Sequence, residues 1–219
     1  MEFKESNRLF YQKYPYKIVF KSFDWIEAAH RSSQWGHLAV RRTKSEAETK
    51  LAEKLENFIR ANREKIKMRY ELSLSIFFAD RKILDDLVVL LPGSIREFYE
   101  PKNEKALEAM LEDIKIEVRP KLTHDCRYKI LLSYDFRKIN PSFLSFYETN
   151  QDRFHISDRL LEMFRQKDKY YWADASYFYV KDSKVLLMTQ MLLGPVIKKT
   201  IKIVTHSELE EKEIQNEQP

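Results

Sequence analysis

The clearest period in this chain lies at residues 68–79, "MRYELSLSIFFA". There Met68, Tyr70, Leu72, Leu74, Ile76 and Phe78 alternate with Arg69, Glu71, Ser73, Ser75 and Phe77. A period of two predicts a strand with one buried face. "SYFYVK" (176–181) repeats the pattern with Phe178 and Val180 inward and Tyr177 and Tyr179 outward, and "YKIVF" (16–20) and "YKILL" (128–132) read as further strands. Helical spacing of Leu51, Leu55, Phe58 and Ile59 makes residues 44–65 the longest predicted helix, with Thr43 and Glu46 as its capping box. A shorter helix is expected at "SDRLLEMFRQ" (157–166), a linking helix at 103–114, and no clear element over 22–42.

Two stretches are nearly the same phrase: "DRKILDDLVVLLPGSI" (80–95) and "DSKVLLMTQMLLGPVI" (182–197), 102 residues apart. Asp80, Lys82, Leu84, Leu90, Leu91 and Ile95 recur as Asp182, Lys184, Leu186, Leu192, Leu193 and Ile197, against roughly one identity expected from background composition. Arg96 answers to Lys198, and Pro92-Gly93 to Gly194-Pro195. Upstream, "LENF" (55–58) resembles "LEMF" (161–164), and the two "YKI" strands correspond at an offset of 112. Each phrase reads as a short helix ending at a Pro/Gly turn, with Asp80 or Asp182 as its N-cap and an extended segment after it.

The expected fold is therefore α+β: two duplicated β-α-β-α-β modules with the ferredoxin-like or RNA-recognition layer plan, helices on one face of each sheet. The expected boundaries are 1–102 for the first module, 103–206 for the linking helix and second module, and 207–219 for a disordered acidic tail.

Composition narrows the function. Three glycines, Gly36, Gly93 and Gly194, cannot build a Gly-rich phosphate loop, which removes P-loop and dinucleotide-binding enzymes. The lone Cys126 excludes an internal disulfide and multi-cysteine metal sites. No apolar run reaches the roughly 18 residues of a membrane span, and the N-terminus lacks the plan of a signal peptide, so a cytoplasmic protein without membrane contact is expected. Residues 1–69 carry 16 Lys/Arg against 9 Asp/Glu, while the last thirteen residues hold five glutamates and one lysine. Low glycine with abundant Lys, Glu, Phe and Tyr is a composition of AT-rich genomes, viral ones among them.

If the helices cover the side bearing Ile18, Phe20, Leu72, Leu74 and Phe178, alternation assigns the opposite face. In the second module it would carry Lys129, Tyr177, Tyr179, Lys198 and Lys202, and in the first Lys17, Lys21, Arg69 and Phe77. Basic side chains around exposed rings suit single-stranded nucleic acid, since bases stack on the rings and cations neutralise phosphates. The expected function is thus non-enzymatic binding of single-stranded DNA or RNA, as an accessory factor in replication or RNA handling, with no cofactor. The rival reading is a structural or interaction module whose sheet faces are covered by a second copy or another protein.

Hidden catalysis is the third reading. A tyrosine-dependent nicking enzyme would need paired histidines on a strand, and His30, His37, His124, His155 and His206 include no two within one residue of each other. In "HDC" (124–126) adjacent strand residues would point to opposite faces, so they cannot share one metal. Arg41, Arg42 and Lys44 form a basic cluster that reads as solvated surface or a phosphate contact.

Overall fold

The computed structural model describes residues 1–35, 45–133, 141–165 and 176–216. The chain divides into two compact units, residues 1–114 and 115–219. The first contains β1 (Glu2–Glu5), β2 (Tyr16–Phe20), α1 (Asp24–Trp35), α2 (Glu46–Ala61), β3 (Ile66–Tyr70), β4 (Leu74–Phe78), α3 (Lys82–Leu90), β5 (Ile95–Glu100) and α4 (Glu104–Glu112). The second contains β6 (Ile116–Arg119), β7 (Tyr128–Leu132), α5 (Pro141–Glu148), β8 (Phe154–His155), α6 (Asp158–Arg165), β9 (Tyr177–Val180), α7 (Ser183–Leu193), β10 (Ile197–Thr205) and α8 (His206–Asn216). The helix at 104–112 falls in the first unit.

The fold is α+β, with two five-stranded mixed sheets ordered β1-β5-β2-β4-β3 and β6-β10-β7-β9-β8. In each, the outermost strand, β1 or β6, runs parallel to its neighbour, and the other four are antiparallel. Those four have the layout of a ferredoxin-like β-α-β-β-α-β unit.

The sheets agree in register as well as order. Lys17 pairs with Phe77 and Tyr99, and Lys129 pairs with Tyr179 and Ile201, which reproduces the offsets of 112 and 102 read from the sequence. Register shifts at Val19/Phe20 and at Ile197/Lys199 leave Arg96 and Lys198 as the extra residues of equivalent bulges. The backbone bonds Lys21 N–H to Ser94 O and Ser133 N–H to Val196 O, both 2.8–2.9 Å, close the same corner in each unit.

Each sheet buries one face against helices. In the first unit Ile18, Phe20, Leu74, Ile76 and Phe78 meet Trp25, Ile26, Leu55, Ile59, Leu84 and Leu87. In the second, Ile130, Leu132, Phe154, Phe178 and Val180 meet Phe143, Leu160, Phe164, Val185 and Leu193. Each such side chain contributes about 1.5–3 kcal/mol on full burial, so alternation along the central strands is enough to select this face.

Several expectations change. The strand expected at 68–79 is a hairpin, β3 and β4, joined by a three-residue turn whose Leu72 is 91% exposed. An odd-numbered turn preserves parity: Met68 pairs with Ile76 and Tyr70 with Leu74, so the period of two runs through the reversal unbroken. The α2 cap is Ser45, whose Oγ accepts from Glu48 N–H at 3.2 Å; Thr43 lies outside the described residues. The likeness of "LENF" to "LEMF" does not follow topology, because α2 precedes the edge strand β3 whereas α6 follows β8, and α5 holds the place of α2.

Residues 206–216 form α8, which takes in most of the 207–219 stretch expected to be a disordered tail. The reason is local. Thr205 Oγ1 accepts from Glu208 N–H at 3.4 Å while Glu208 Oε2 accepts from Thr205 N–H at 2.9 Å, a reciprocal capping box. Arg127 pairs with the same Glu208 carboxylate.

Candidate nucleic-acid interface

The sheet face away from the helices is built from rows of paired residues. In the first unit Lys67, Phe77, Lys17, Tyr99 and Lys4 face one another in succession across all five strands, alternating cation and ring. The Lys17 ammonium lies 4.8 Å from the Tyr99 ring, 5.7 Å from Phe77 and 5.8 Å from Phe10. Burial among these rings pushes its pKa down, partly offset by Glu97. In the second unit the corresponding row is His155, Tyr179, Lys129 and Ile201, with Tyr177, Leu131 and Lys199 forming the next row on the same face.

Neither face is fully open. In each unit the connection between the first two strands folds back over the sheet through a tight turn with two consecutive positive-φ residues. These are Tyr11 (φ 52°) and Gln12 (φ 61°) in the first, His124 (φ 54°) and Asp125 (φ 53°) in the second. The closing bonds are Lys13 N–H to Phe10 O at 3.1 Å and Cys126 N–H to Thr123 O at 3.0 Å. Two positive φ values in succession define a type I′ turn, ordinarily the province of Gly and Asn, and non-glycine residues occupy them here at a cost of about 1–3 kcal/mol each.

The turn residues roof the central rings. Phe10 and Tyr11 lie 5.4 and 4.9 Å from the Phe77 ring, leaving Phe77 only 4% exposed. His124 lies 6.0 Å from Tyr179, which also packs with Cys126, Ile203 and Leu122 and is 6% exposed. Burial raises the Tyr179 and Cys126 pKa values. Phe77 and Tyr179 are therefore roofed side chains, not free stacking surfaces, as alternation alone had implied.

The expected basic residues separate likewise. Lys129 and Tyr177 come together, the ammonium 4.1 Å from the ring centroid, with Tyr177 44% exposed. Lys17, Arg69 and Phe77 share the first unit's face, and Arg69 is tied to Glu71. Lys202 is opposite Tyr128, whose ring joins the helix-side core, and Lys198 is the bulge residue. The bulge shifts the parity of β10, so the lysine that belongs to the Tyr177 face is Lys199. Lys21 lies beyond the end of β2.

Besides Lys199, sequence reasoning missed Tyr11, Lys67, His124 and His155. Tyr11 is 45% exposed with the Lys67 ammonium 3.9 Å from its ring, an arrangement like Lys129 on Tyr177. His124 and His155, 31 residues apart, stack with centroids 3.3 Å apart at the place where the first unit has Tyr11 and Lys67. Burial, with His124 adding to it, lowers the His155 pKa. Their separation in sequence hid the pair, and glycine-free turns gave no hairpin signal. Nearby, Arg119 donates to Glu117 Oε1 at 2.7 and 3.0 Å and bonds Tyr179; although desolvation opposes it, the Glu117 contact raises the Arg119 pKa.

Among the described residues no three His, Cys, Asp or Glu side chains converge as metal ligands do, and no helix is long and apolar enough to cross a membrane. No protein-family model, curated protein or solved structure matches the chain.

Proposed function

We propose that the protein binds single-stranded DNA or RNA without catalysis, as two copies of one module, each offering, among the described residues, an exposed tyrosine with a lysine ammonium on it. The observation that carries this reading is the Lys129–Tyr177 contact at 4.1 Å on a half-exposed ring. A base stacks on such a ring for about 1–3 kcal/mol, and the adjoining cation lies within reach of the same nucleotide's phosphate. Tyr11 with Lys67 supplies the second contact, and Lys199 extends the charge beside Tyr177. Stacking on each ring is sequence-tolerant, because every base has a π-face.

The test is fluorescence anisotropy with a labelled single-stranded oligonucleotide across a salt series. Tyr177→Ala should weaken binding by about 1–3 kcal/mol with the salt slope unchanged, since stacking releases no counterions. Lys129→Gln should weaken binding and flatten the slope by about 0.7 per lost phosphate contact. Absence of affinity for single-stranded DNA and RNA at low salt would refute the proposal.

A further inference from the structure

The two units provide an internal comparison, and among the described residues one difference lies on equivalent helices. On α3 the exposed outward positions are Lys82, Asp85, Asp86, Val88 and Val89. At the offset of 102 that aligns the sheets, α7 has Lys184, Leu187, Met188, Gln190 and Met191. Leu187 is 59% exposed, Met188 37% and Met191 71%. The opposite side of α7 is already committed to the core through Val185, Thr189 and Leu193. Ser183, Lys184 and Gln190 are exposed polar residues of α7, and beside them Leu187, Met188 and Met191 form an apolar stripe left in water. Where α3 keeps this face wet with two aspartates, α7 has replaced both by large apolar groups.

We infer that the outer face of α7 is the contact surface of a homodimer, in which α7 of one chain packs antiparallel against α7 of a second copy. The charge pattern selects this occupant. Lys184 is the one charged residue in α7 and stands in its first turn. In an antiparallel pair each Lys184 ammonium falls beside the last turn of the partner's α7, where the unpaired carbonyls carry the negative end of the helix dipole. The arrangement is self-complementary, as a two-fold interface requires. An acidic partner would find a single cation on this face. Leu187 and Met188, at the middle of the helix, flank the two-fold axis, and flexible methionines accommodate their own symmetry mates. An 11-residue helix is only about 16 Å long at 1.5 Å per residue, so the contact is smaller than a standard stable interface and the dimer is weak. This interface lies on the helix side of the unit and does not depend on nucleic-acid binding.

Sedimentation velocity of the full chain, from about 1 to 300 μM, tests it. The expected result is a monomer–dimer equilibrium in which Leu187→Asp and Met191→Asp each raise the dissociation constant at least about tenfold, equivalent to about 1.4 kcal/mol, while Val89→Asp on α3 leaves it unchanged. Oxidised Leu187→Cys should yield a disulfide-linked dimer and Val89→Cys should not; Cys126 is buried and does not compete. The cross-linking arm decides the matter if an aspartate variant misfolds. A chain that stays monomeric throughout, or a dimer indifferent to both aspartates, overturns the inference and leaves α7 to a different protein partner.

Discussion

Replacing Asp182 should separate two interactions that one side chain makes at once. Its Oδ1 accepts the Lys184 and Val185 N–H groups at 2.9 and 3.0 Å, capping α7. Its Oδ2 accepts from Arg153 Nε at 3.1 Å and also from Nη2, tying the turn before β8 to the start of α7. Loss of an N-cap costs about 0.5–2 kcal/mol. The ion pair is about one-third exposed on both sides and contributes about 0.2–1 kcal/mol. Asp182→Ala should therefore destabilise the second unit by about 0.7–3 kcal/mol, whereas Asp182→Asn, which still caps, should lose only the pair. Asp80 is the control: its carboxylate accepts the Lys82 N–H at 2.9 Å and has no ion pair like that of Asp182 with Arg153 among the described residues, so Asp80→Ala should cost about 0.5–1 kcal/mol.

The measurement is amide hydrogen exchange at Lys184 and Val185 together with the urea midpoint of the unit. Burial raises the Asp182 pKa, but the Val185 N–H, the Arg153 bond and the Lys184 N–H outweigh it and hold the pKa below its ordinary 3.8. The charged form is thus the one the fold favours. Its contribution is complete above the unfolded value and disappears as pH falls through the lower folded value, an acid-side loss that Asp182→Asn should lack. If Asp182→Ala left both amides as protected as in the native chain, or if the Asn variant were as damaged as the Ala variant, the capping argument would be wrong.

Three further outcomes follow from single contacts. Glu208→Ala breaks the capping box and the Arg127 pair, and should reduce helical circular dichroism through loss of α8 and lower stability by about 0.5–2 kcal/mol. His155 has a pKa below its ordinary 6.5 because of burial and His124, so its contribution is full above that value and lost on acidification through the lower folded value; His155→Gln should flatten the stability profile there. Leu72→Ser, at an exposed turn tip, should change the urea midpoint by no more than about 0.5 kcal/mol, against several kcal/mol for a side chain buried in a strand.

What could be read in the sequence was what period and repetition encode. The offset of 102 from Asp80 to Asp182 marks the helix starts, and the offset of 112 between the "YKI" strands marks the first antiparallel strand of each sheet. Register could not be read, because parity is blind to an odd-numbered turn at residues 71–73 and is reversed by the bulge at Lys198. That is why Lys202 was assigned to the wrong face and Lys199 overlooked. The roofs over Phe77 and Tyr179 were hidden for a different reason: Tyr11-Gln12 and His124-Asp125 adopt positive φ without the glycine or asparagine that announces it. "THSE" (205–208) did carry a capping-box signature, but the run of glutamates after it suggested a solvated tail.

The shared and unshared positions of the two units divide along physical lines. The central lysine, the bulge, the corner bonds and the positive-φ turn recur in both, and each acts on the sheet itself. The helices differ in the core, where α1 serves the first unit and α6 the second, and three further differences lie where a side chain meets solvent. Ser75 of the first unit stands where the second has Tyr177, beside the equivalent lysine in each case. Asp85 and Asp86 stand where the second has Leu187 and Met188, and Lys67 over Tyr11 stands where the second has His155 over His124. A change from serine to tyrosine adds a ring that no core requires. Likewise, a change from aspartate to leucine on a wet helix face exposes apolar surface that folding of the unit alone does not repay. Surface changes of this kind, on a sheet repeated down to its bulge, are the ones that the two proposals call on: a stacking ring on the sheet side and a self-association surface on the helix side.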